Sequence, residues 1–181
     1  MNFPPDPAGT DVQGLFSLFP PAGYMTRGEL VPPGRVPPPY RDLLVHEHHM
    51  TVTLEAHHGD KVNVEVIEYR VAGDSYARKI LLPLQKTAKI VMFGLVRVNF
   101  AYCSDVVRQR IVEGKTPMGR VLIEANVLRR IEPTAYLRVF PGPAMMKWFG
   151  LDQPRPTYGR FALIHCDEQP AVELLEIVAP E

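Results

Sequence analysis

Two ionisable residues, Arg78 and Glu176, occupy positions in apolar segments where a strand pattern places them among core side chains. In YARKILL, the two-residue period of a strand groups Arg78 with Ile80. In AVELLEIVA, the same period groups Glu176 with Leu174. An ionised group on the core face of a sheet costs several kcal/mol unless something pairs it. Such an arginine could hold an anionic ligand, and such a glutamate could transfer a proton.

The periodicity is equally compatible with two structural roles for these charges. Either residue could belong to an edge strand from which its charge reaches water. Alternatively, Arg78 and Glu176 could form a structural ion pair with each other. In neither case would the two side chains act on a ligand.

Other residues whose side chains could take part in catalysis fit known catalytic patterns poorly. A zinc-protease helix needs a second histidine four residues after the first, and Met50 stands there after His46-Glu47. We interpret the histidines between residues 46 and 58 as a partly charged helix surface and expect no metal. The motifs GxGxxG, GxxxxGK[ST] and GxSxG are absent, which argues against a nucleotide cofactor or a serine hydrolase. Cys103 and His165 could act as nucleophile and base only if folding brought them together.

Composition narrows the class of partner. The 181 residues carry 20 Lys plus Arg and 20 Asp plus Glu, so no excess positive charge attracts nucleic acid or an anionic membrane. The longest apolar stretches are too short to span a bilayer, and the first residues lack the basic and apolar regions of a secretory signal. These features predict a cytoplasmic protein whose partner is a small molecule.

The chain divides at about residue 40. Ten of the 19 prolines lie before that point, so residues 1–39 are predicted to be a proline-rich arm without regular structure. Apolar residues in this arm, Phe16 and Phe19 among them, indicate that part of it packs on the body. Residues 40–181 are predicted to form the single folded domain.

The order of elements after residue 40 predicts the fold class. Residues 41–58 favour two short helices or one broken helix, and residues 104–126 favour further helix. Strand patterns cover 62–71, 75–84 and 89–100, and three more follow in the last third, the final two as a hairpin. Strands in runs, without βαβ alternation, predict an α+β domain: a mainly antiparallel sheet with helices covering one face. A ligand site is expected between the sheet and these helices.

Four segments carry a resemblance to a known family: HHMTVTLEAHHGDKVNVEVI, SYARKILL, GKTPMGRVL and LLEIVAP. In this order and spacing they resemble the bacterial chorismate pyruvate-lyase (4-hydroxybenzoate synthase) family. Together they extend over roughly residues 42–180, which leaves the proline-rich arm outside the match. The resemblance implies a chorismate lyase-like fold. It also implies conversion of chorismate to 4-hydroxybenzoate, or a related aromatic acid, and pyruvate, with no cofactor.

The resemblance also implies roles for particular residues. Arg78 would bind the ring carboxylate, and Glu176 would face the 4-oxygen at the opposite end of the ring. Backbone groups at Met50 and Met118 would complete the pocket, and Gly94 would form its floor. One position departs from the family, which commonly has Gly-Arg where this chain has Gly94 followed by leucine.

A different class of function fits the same fold. The fold also resembles the effector-binding domains of GntR-type transcription regulators, which bind small molecules without catalysis. Those regulators carry an N-terminal winged helix, which the proline-rich first 40 residues do not resemble. A non-catalytic domain that binds an aromatic acid is therefore the alternative to a lyase. A third interpretation is a lyase homologue that makes another aromatic acid or only binds one.

Overall fold

A seven-stranded sheet forms the centre of the computed structural model, which describes residues 10–181, with the backbone alone at residue 22. The strands are β1 (Met25–Val31), β2 (Glu65–Ala72), β3 (Ser75–Pro83), β4 (Ile90–Asn99), β5 (Arg129–Pro141), β6 (Thr157–Cys166) and β7 (Gln169–Val178). Their order in the sheet is β1-β5-β6-β7-β4-β3-β2, and all neighbours are antiparallel. The α+β class with a mainly antiparallel sheet is confirmed.

Six short helices accompany the sheet within the described residues. They are α1 (Val12–Leu18), α2 (Tyr40–Leu44), α3 (Met50–His58), α4 (Asp105–Glu113), α5 (Met118–Glu124) and α6 (Pro143–Phe149). The predicted helical region 41–58 therefore forms two helices, and the region 104–126 forms two more. In the part of the chain that the structure describes, no helix is long and apolar enough to cross a membrane.

Each face of the sheet carries its own apolar core. Helices α2 to α5 cover one face, where Leu44, Leu54 and Ile111 pack with strand residues such as Val172 and Leu174. This is the helical layer that the sequence predicts. The opposite face packs against α1 and α6, whose side chains include Leu15 and Met145, and the sequence does not predict this second layer. The inner strands β3, β4, β6 and β7 are thus buried on both sides and contain long apolar runs, whereas the edge strand β2 is mostly exposed.

The prediction that residues 1–39 lack regular structure is wrong for the part that the structure describes. Residues 12–18 form α1, and β1 pairs with β5 at the edge of the sheet. The prolines flank β1 and do not interrupt it. Every residue of its MTRGELV segment therefore has a backbone N–H that can donate a hydrogen bond. Phe16 and Phe19 are buried, as the packing prediction required. The first prolines of the arm lie outside the described residues.

Candidate functional site

A partly open cavity lies between the sheet and helices α3 and α5. It encloses about 40 Å³, enough for roughly three water molecules. Its wall consists of the first turns of both helices, apolar strand side chains and one buried ion pair. The lining residues are His49, Met50, Thr51, Ile80, Leu82, Met92, Gly94, Val96, Pro117, Met118, Gly119, Ile131, Arg160, Ile164, Leu174 and Glu176. Its lining, largely apolar with a few polar groups, has the composition of a small-molecule site, whereas its volume is far below the roughly 300–1,000 Å³ of such sites.

A glycine allows the two helices to meet at the cavity. Extended backbone at His49 turns the chain into α3, and Pro117 precedes α5 in the same way. A Cβ atom at Gly119 would lie 3.1 Å from Nδ1 of the His49 ring, so a larger residue would push the first turns apart. The close approach of these two turns closes the cavity on the side away from the sheet.

The structure brings together four of the five residues singled out from the sequence. Met50, Gly94, Met118 and Glu176 all line the cavity. Gly94 lies on β4 opposite Ile80 of β3 and Glu176 of β7, so these three positions form one row across the sheet. The absence of a side chain at Gly94 leaves space in the middle of that row.

Arg78 does not line the cavity but lies beside it, on the same face of the sheet. It is fully buried, and the residue opposite it on the neighbouring strand β4 is Val96, which lines the cavity. Its Nη1 donates to the carbonyl of Ile111 in α4, at 3.1 Å. Its Nε and Nη2 have no hydrogen-bond partner among the described residues. Burial lowers the pKa of this guanidinium from its ordinary value, and the neighbouring Tyr76 hydroxyl offsets part of that shift.

Neither structural role suggested for the two charges is the one observed. Both β3 and β7 are interior strands, and Arg78 and Glu176 are buried, so neither charge reaches water from a sheet edge. The two residues do not pair with each other. Glu176 Oε2 instead accepts a hydrogen bond from Nε of Arg160, at 2.7 Å.

Arg160 is the main residue of the site that the sequence analysis missed. Besides Glu176, its guanidinium donates to the carbonyls of Leu44, His46 and His48, at 3.2, 2.8 and 3.2 Å. It therefore fastens the segment between α2 and α3 to the sheet and sets the position where α3 begins. The signal was present in the sequence, because the two-residue period in GRFALIHC places this arginine in phase with Ala162.

The leucine that departs from the family pattern faces away from the cavity. Leu95 is buried in the opposite core, with α1 and α6. Arg97, two residues further on, lies in the same phase and pairs with Asp11 and Glu173. Strand β4 therefore brings no cation to the cavity, and among the described residues the arginine that lines it is Arg160 of β6.

Two of the histidines, His46 and His49, lie in or beside the cavity wall. His49 Nε2 accepts from Nε of Arg129 at 2.7 Å, and His46 Nε2 bonds the carbonyl of Leu43 at 2.7 Å. Burial, followed by the charges of Arg129 and Arg160, lowers the pKa of His49 to about 4. Burial also lowers the pKa of His46. These contacts engage both rings, so His46 and His49 are not arranged as metal ligands.

The lowered pKa of His49 predicts a loss of stability in acid. The unfolded chain binds a proton at its ordinary pKa of 6.5, whereas the folded chain resists protonation until about 4. The contribution of His49 to the free energy of unfolding is therefore fully present above pH 6.5. It is lost as the pH drops toward 4, and the loss amounts to up to about 3 kcal/mol. Urea unfolding at pH 7 and pH 4.5 measures the loss, which His49→Gln should reduce by most of that amount. Equal losses in the wild type and the variant would contradict the assignment.

The suggested cysteine nucleophile is not assembled. Cys103 Sγ lies 3.8 Å from the carbonyl oxygen of Asn99, and burial raises the pKa of its thiol. His165 is engaged with Glu132 instead, at 3.0 Å. A thiol without an adjacent base stays protonated and is a poor nucleophile.

Comparisons with known proteins identify the fold alone. No protein-family model matches this chain, and no curated protein does. Among solved structures, PhnF from Mycobacterium smegmatis aligns with a TM-score of 0.52 and 8% identity, over 75% of this chain and 65% of PhnF. The effector domain of the same PhnF aligns with a TM-score of 0.51 and 9% identity, over 73% of this chain and 88% of that domain. The chain thus spans just under two thirds of PhnF.

A third structure gives a weaker alignment. The ligand-binding domain of a GntR-family transcriptional regulator from Bordetella bronchiseptica aligns with a TM-score of 0.49 and 12% identity, over 65% of this chain and 85% of that domain. The two PhnF alignments show that this chain shares the α+β fold of the PhnF effector domain.

Proposed function

We propose that the protein binds a small hydroxylated aromatic acid, of the 4-hydroxybenzoate class, in the cavity. The observation that carries the proposal is Arg78, a fully buried cation with two unpartnered nitrogens beside an apolar cavity. A buried charge without a counterion is costly, and a carboxylate on a ligand would supply both the charge and the missing acceptors. Arg78 therefore selects an anionic ligand.

The sheet register places Arg78 and Glu176 on two sides of one position in the sheet. Arg78 and Glu176 are two strands apart and offset by two residues along the strands, on either side of the Gly94 position. At the usual strand spacing and rise, their Cα atoms are about 12 Å apart. Both residues lie on the cavity face of the sheet, so a ligand bound over Gly94 would have one of them on each side.

Glu176 defines the other end of the ligand. Its Oε2 accepts from Arg160, and its Oε1 has no donor among the described residues although the residue lines the cavity. A carboxylate oxygen without a donor favours a ligand hydroxyl, which would donate to it. An acid with a carboxylate at one end and a hydroxyl at the other satisfies both residues at once.

The small cavity volume favours a compact ligand. A single aromatic ring exceeds the present 40 Å³, so side chains must move when it binds. Three of the lining residues are methionines, Met50, Met92 and Met118, whose unbranched side chains repack at low cost. A ligand with a second bulky substituent, such as the enolpyruvyl ether of chorismate, requires a larger rearrangement.

A lyase acting on chorismate is the second candidate. It is favoured by one specific feature, the position of Glu176 on the cavity wall at the end where the ether oxygen of chorismate would lie. Protonated Glu176 could give its proton to the ether oxygen as the bond from that oxygen to the ring breaks. The resulting carboxylate could then take the proton from the neighbouring ring carbon, which leaves an aromatic ring and free pyruvate. Incubation of the purified protein with chorismate and assay of pyruvate separates this candidate from binding alone. Binding of 4-hydroxybenzoate without pyruvate release would identify a ligand-binding domain.

Gly94→Ala should block the ligand without unfolding the protein. The added Cβ would lie 3.1 Å from Cγ1 of Ile80 and 3.4 Å from Cε of Met92, in the middle of the cavity. Both neighbours are side-chain atoms that can shift by a few tenths of an ångström. We expect affinity for 4-hydroxybenzoate to fall at least about tenfold, which is about 1.4 kcal/mol. Isothermal titration calorimetry measures this affinity.

Gly34→Ala is the matched control, because a Cβ at Gly34 meets no atom within 4 Å. This variant should bind 4-hydroxybenzoate as the wild type does. The cavity would be the wrong site if Gly94→Ala, still folded, bound the acid with unchanged affinity.

A further inference from the structure

Three potential metal ligands from opposite ends of the domain meet at the far end of α3. His57 and His58 occupy the last turn of this helix, and Glu181 follows β7. One ligand atom from each of the three lies within 4.8 Å of the other two. The first two are adjacent in sequence, but the third is more than a hundred residues away, so only the fold brings the set together.

The separations suit a bridging ion better than direct bonds. His57 Nε2 lies 3.9 Å from one carboxylate oxygen of Glu181, and His58 Nε2 lies 4.0 Å from the other. Both distances exceed a hydrogen bond. Ligands at about 2.0–2.1 Å from a tetrahedral zinc ion are roughly 3.3 Å apart. The three ligand atoms lie within 4.8 Å of one another, so each separation would have to shorten by at most about 1.5 Å to complete the site.

The third ligand is held in place by its backbone. The amide of Glu181 donates to the hydroxyl of Tyr40 at 3.0 Å, and Arg155 Nη2 donates to the carbonyl of Glu181 at 2.8 Å. These two bonds keep the carboxylate beside the imidazoles. The histidine rings make no hydrogen bond within the described chain, and they face each other edge to face with centroids 4.8 Å apart.

The charges around the three side chains favour a bound cation, with the exception of one lysine. The C-terminal end of a helix carries partial negative charge, which adds to the carboxylate of Glu181. Lys89 is near enough to act on His58 and opposes it. Two imidazoles with one carboxylate form the ligand set of several zinc sites, whereas magnesium and calcium prefer oxygen alone.

From this geometry we infer that His57, His58 and Glu181 form a site for a divalent ion of the zinc class, separate from the cavity. The inference departs from the expectation that the histidines between residues 46 and 58 bind no metal, because the third ligand comes from a distant part of the chain. A bound ion would join the segment after β7 to the end of α3. Since α3 begins at the cavity wall and β7 carries Glu176, the ion would connect two elements of the ligand site at their outer ends.

Zinc titration of protein without a polyhistidine tag tests the site. Calorimetry should show one saturable Zn²⁺ site per chain with a dissociation constant below about 100 µM. Mg²⁺ should produce no such binding. Single substitutions His57→Ala, His58→Ala and Glu181→Gln should each weaken the affinity at least roughly tenfold, because each removes one ligand. In thermal unfolding, zinc should raise the Tm of the wild type and not of these variants.

His165→Ala is the matched control, since this histidine also faces a carboxylate, that of Glu132, but has no third ligand among the described residues. It should bind zinc as the wild type does. The inference is overturned if no saturable zinc binding occurs in folded protein, or if the control variant loses affinity as much as the three site variants. The substituted side chains are all partly exposed, so each variant is expected to fold. Circular dichroism before titration checks this.

Discussion

Arg160→Met is expected to lower the free energy of unfolding by about 3–5 kcal/mol, because it breaks a fully buried ion pair. The substitution leaves the buried carboxylate of Glu176 without a cation. It also removes the donors to three carbonyls between α2 and α3, at Leu44, His46 and His48. Unsatisfied buried carbonyls add to the cost. Urea unfolding at pH 7, monitored by circular dichroism, measures the loss.

Two further variants separate the buried pair from an ordinary loss of charge. Arg130→Met breaks an exposed pair with Glu132 and should cost less than about 1 kcal/mol. Adding Glu176→Gln to Arg160→Met should restore part of the stability, because no uncompensated carboxylate remains. If Arg160→Met cost no more than Arg130→Met, Arg160 would not fasten the segment before α3.

Unlike Arg160→Met, the substitution Arg78→Met should have little effect on the stability of the free protein. It should instead greatly weaken ligand binding. The side chain has one hydrogen bond, to Ile111, and two unpartnered nitrogens, so an apolar residue of similar shape removes a buried charge at little cost. A ligand carboxylate would then be buried without a partner. We expect affinity for 4-hydroxybenzoate to fall by about 2–5 kcal/mol, roughly 30-fold to several thousand-fold.

Arg78→Lys refines this prediction. A lysine keeps the charge but not the planar fork that holds a carboxylate through two bonds, so it should recover part of the affinity. Calorimetry with 4-hydroxybenzoate and urea unfolding are carried out on the wild type and both variants. A large loss of stability in Arg78→Met with unchanged affinity would show that Arg78 is structural.

Most of the correct predictions about the sheet and the candidate site came from the two-residue period of the strands. It assigned alternate residues of β3 and β7 to opposite faces, and the structure places them in the two separate cores accordingly. The same period found Arg78 and Glu176, because a charge in apolar phase stands out without knowledge of the fold. Helix boundaries near residues 58 and 113 were also predictable, since glycine follows each helix in the left-handed conformation.

Features that depend on contacts between distant segments were not predictable. Arg160 pairs with Glu176 across neighbouring strands and with carbonyls more than a hundred residues earlier, and no local pattern specifies such partners. The edge strand β1 was missed because proline density outweighed the short proline-free segment that pairs with β5. Helix α6 was missed because PAMMKWF is too short to show a period.

Calorimetric titration of the wild-type protein with 4-hydroxybenzoate at pH 7 is the decisive test of the proposed binding function. We predict one saturable site per chain, with a dissociation constant in the micromolar range, as expected for a ligand of about ten non-hydrogen atoms that is largely enclosed. Benzoate, which lacks the hydroxyl for Glu176, should bind more weakly. Folded protein that shows no saturable binding of 4-hydroxybenzoate up to about 1 mM would contradict the proposal.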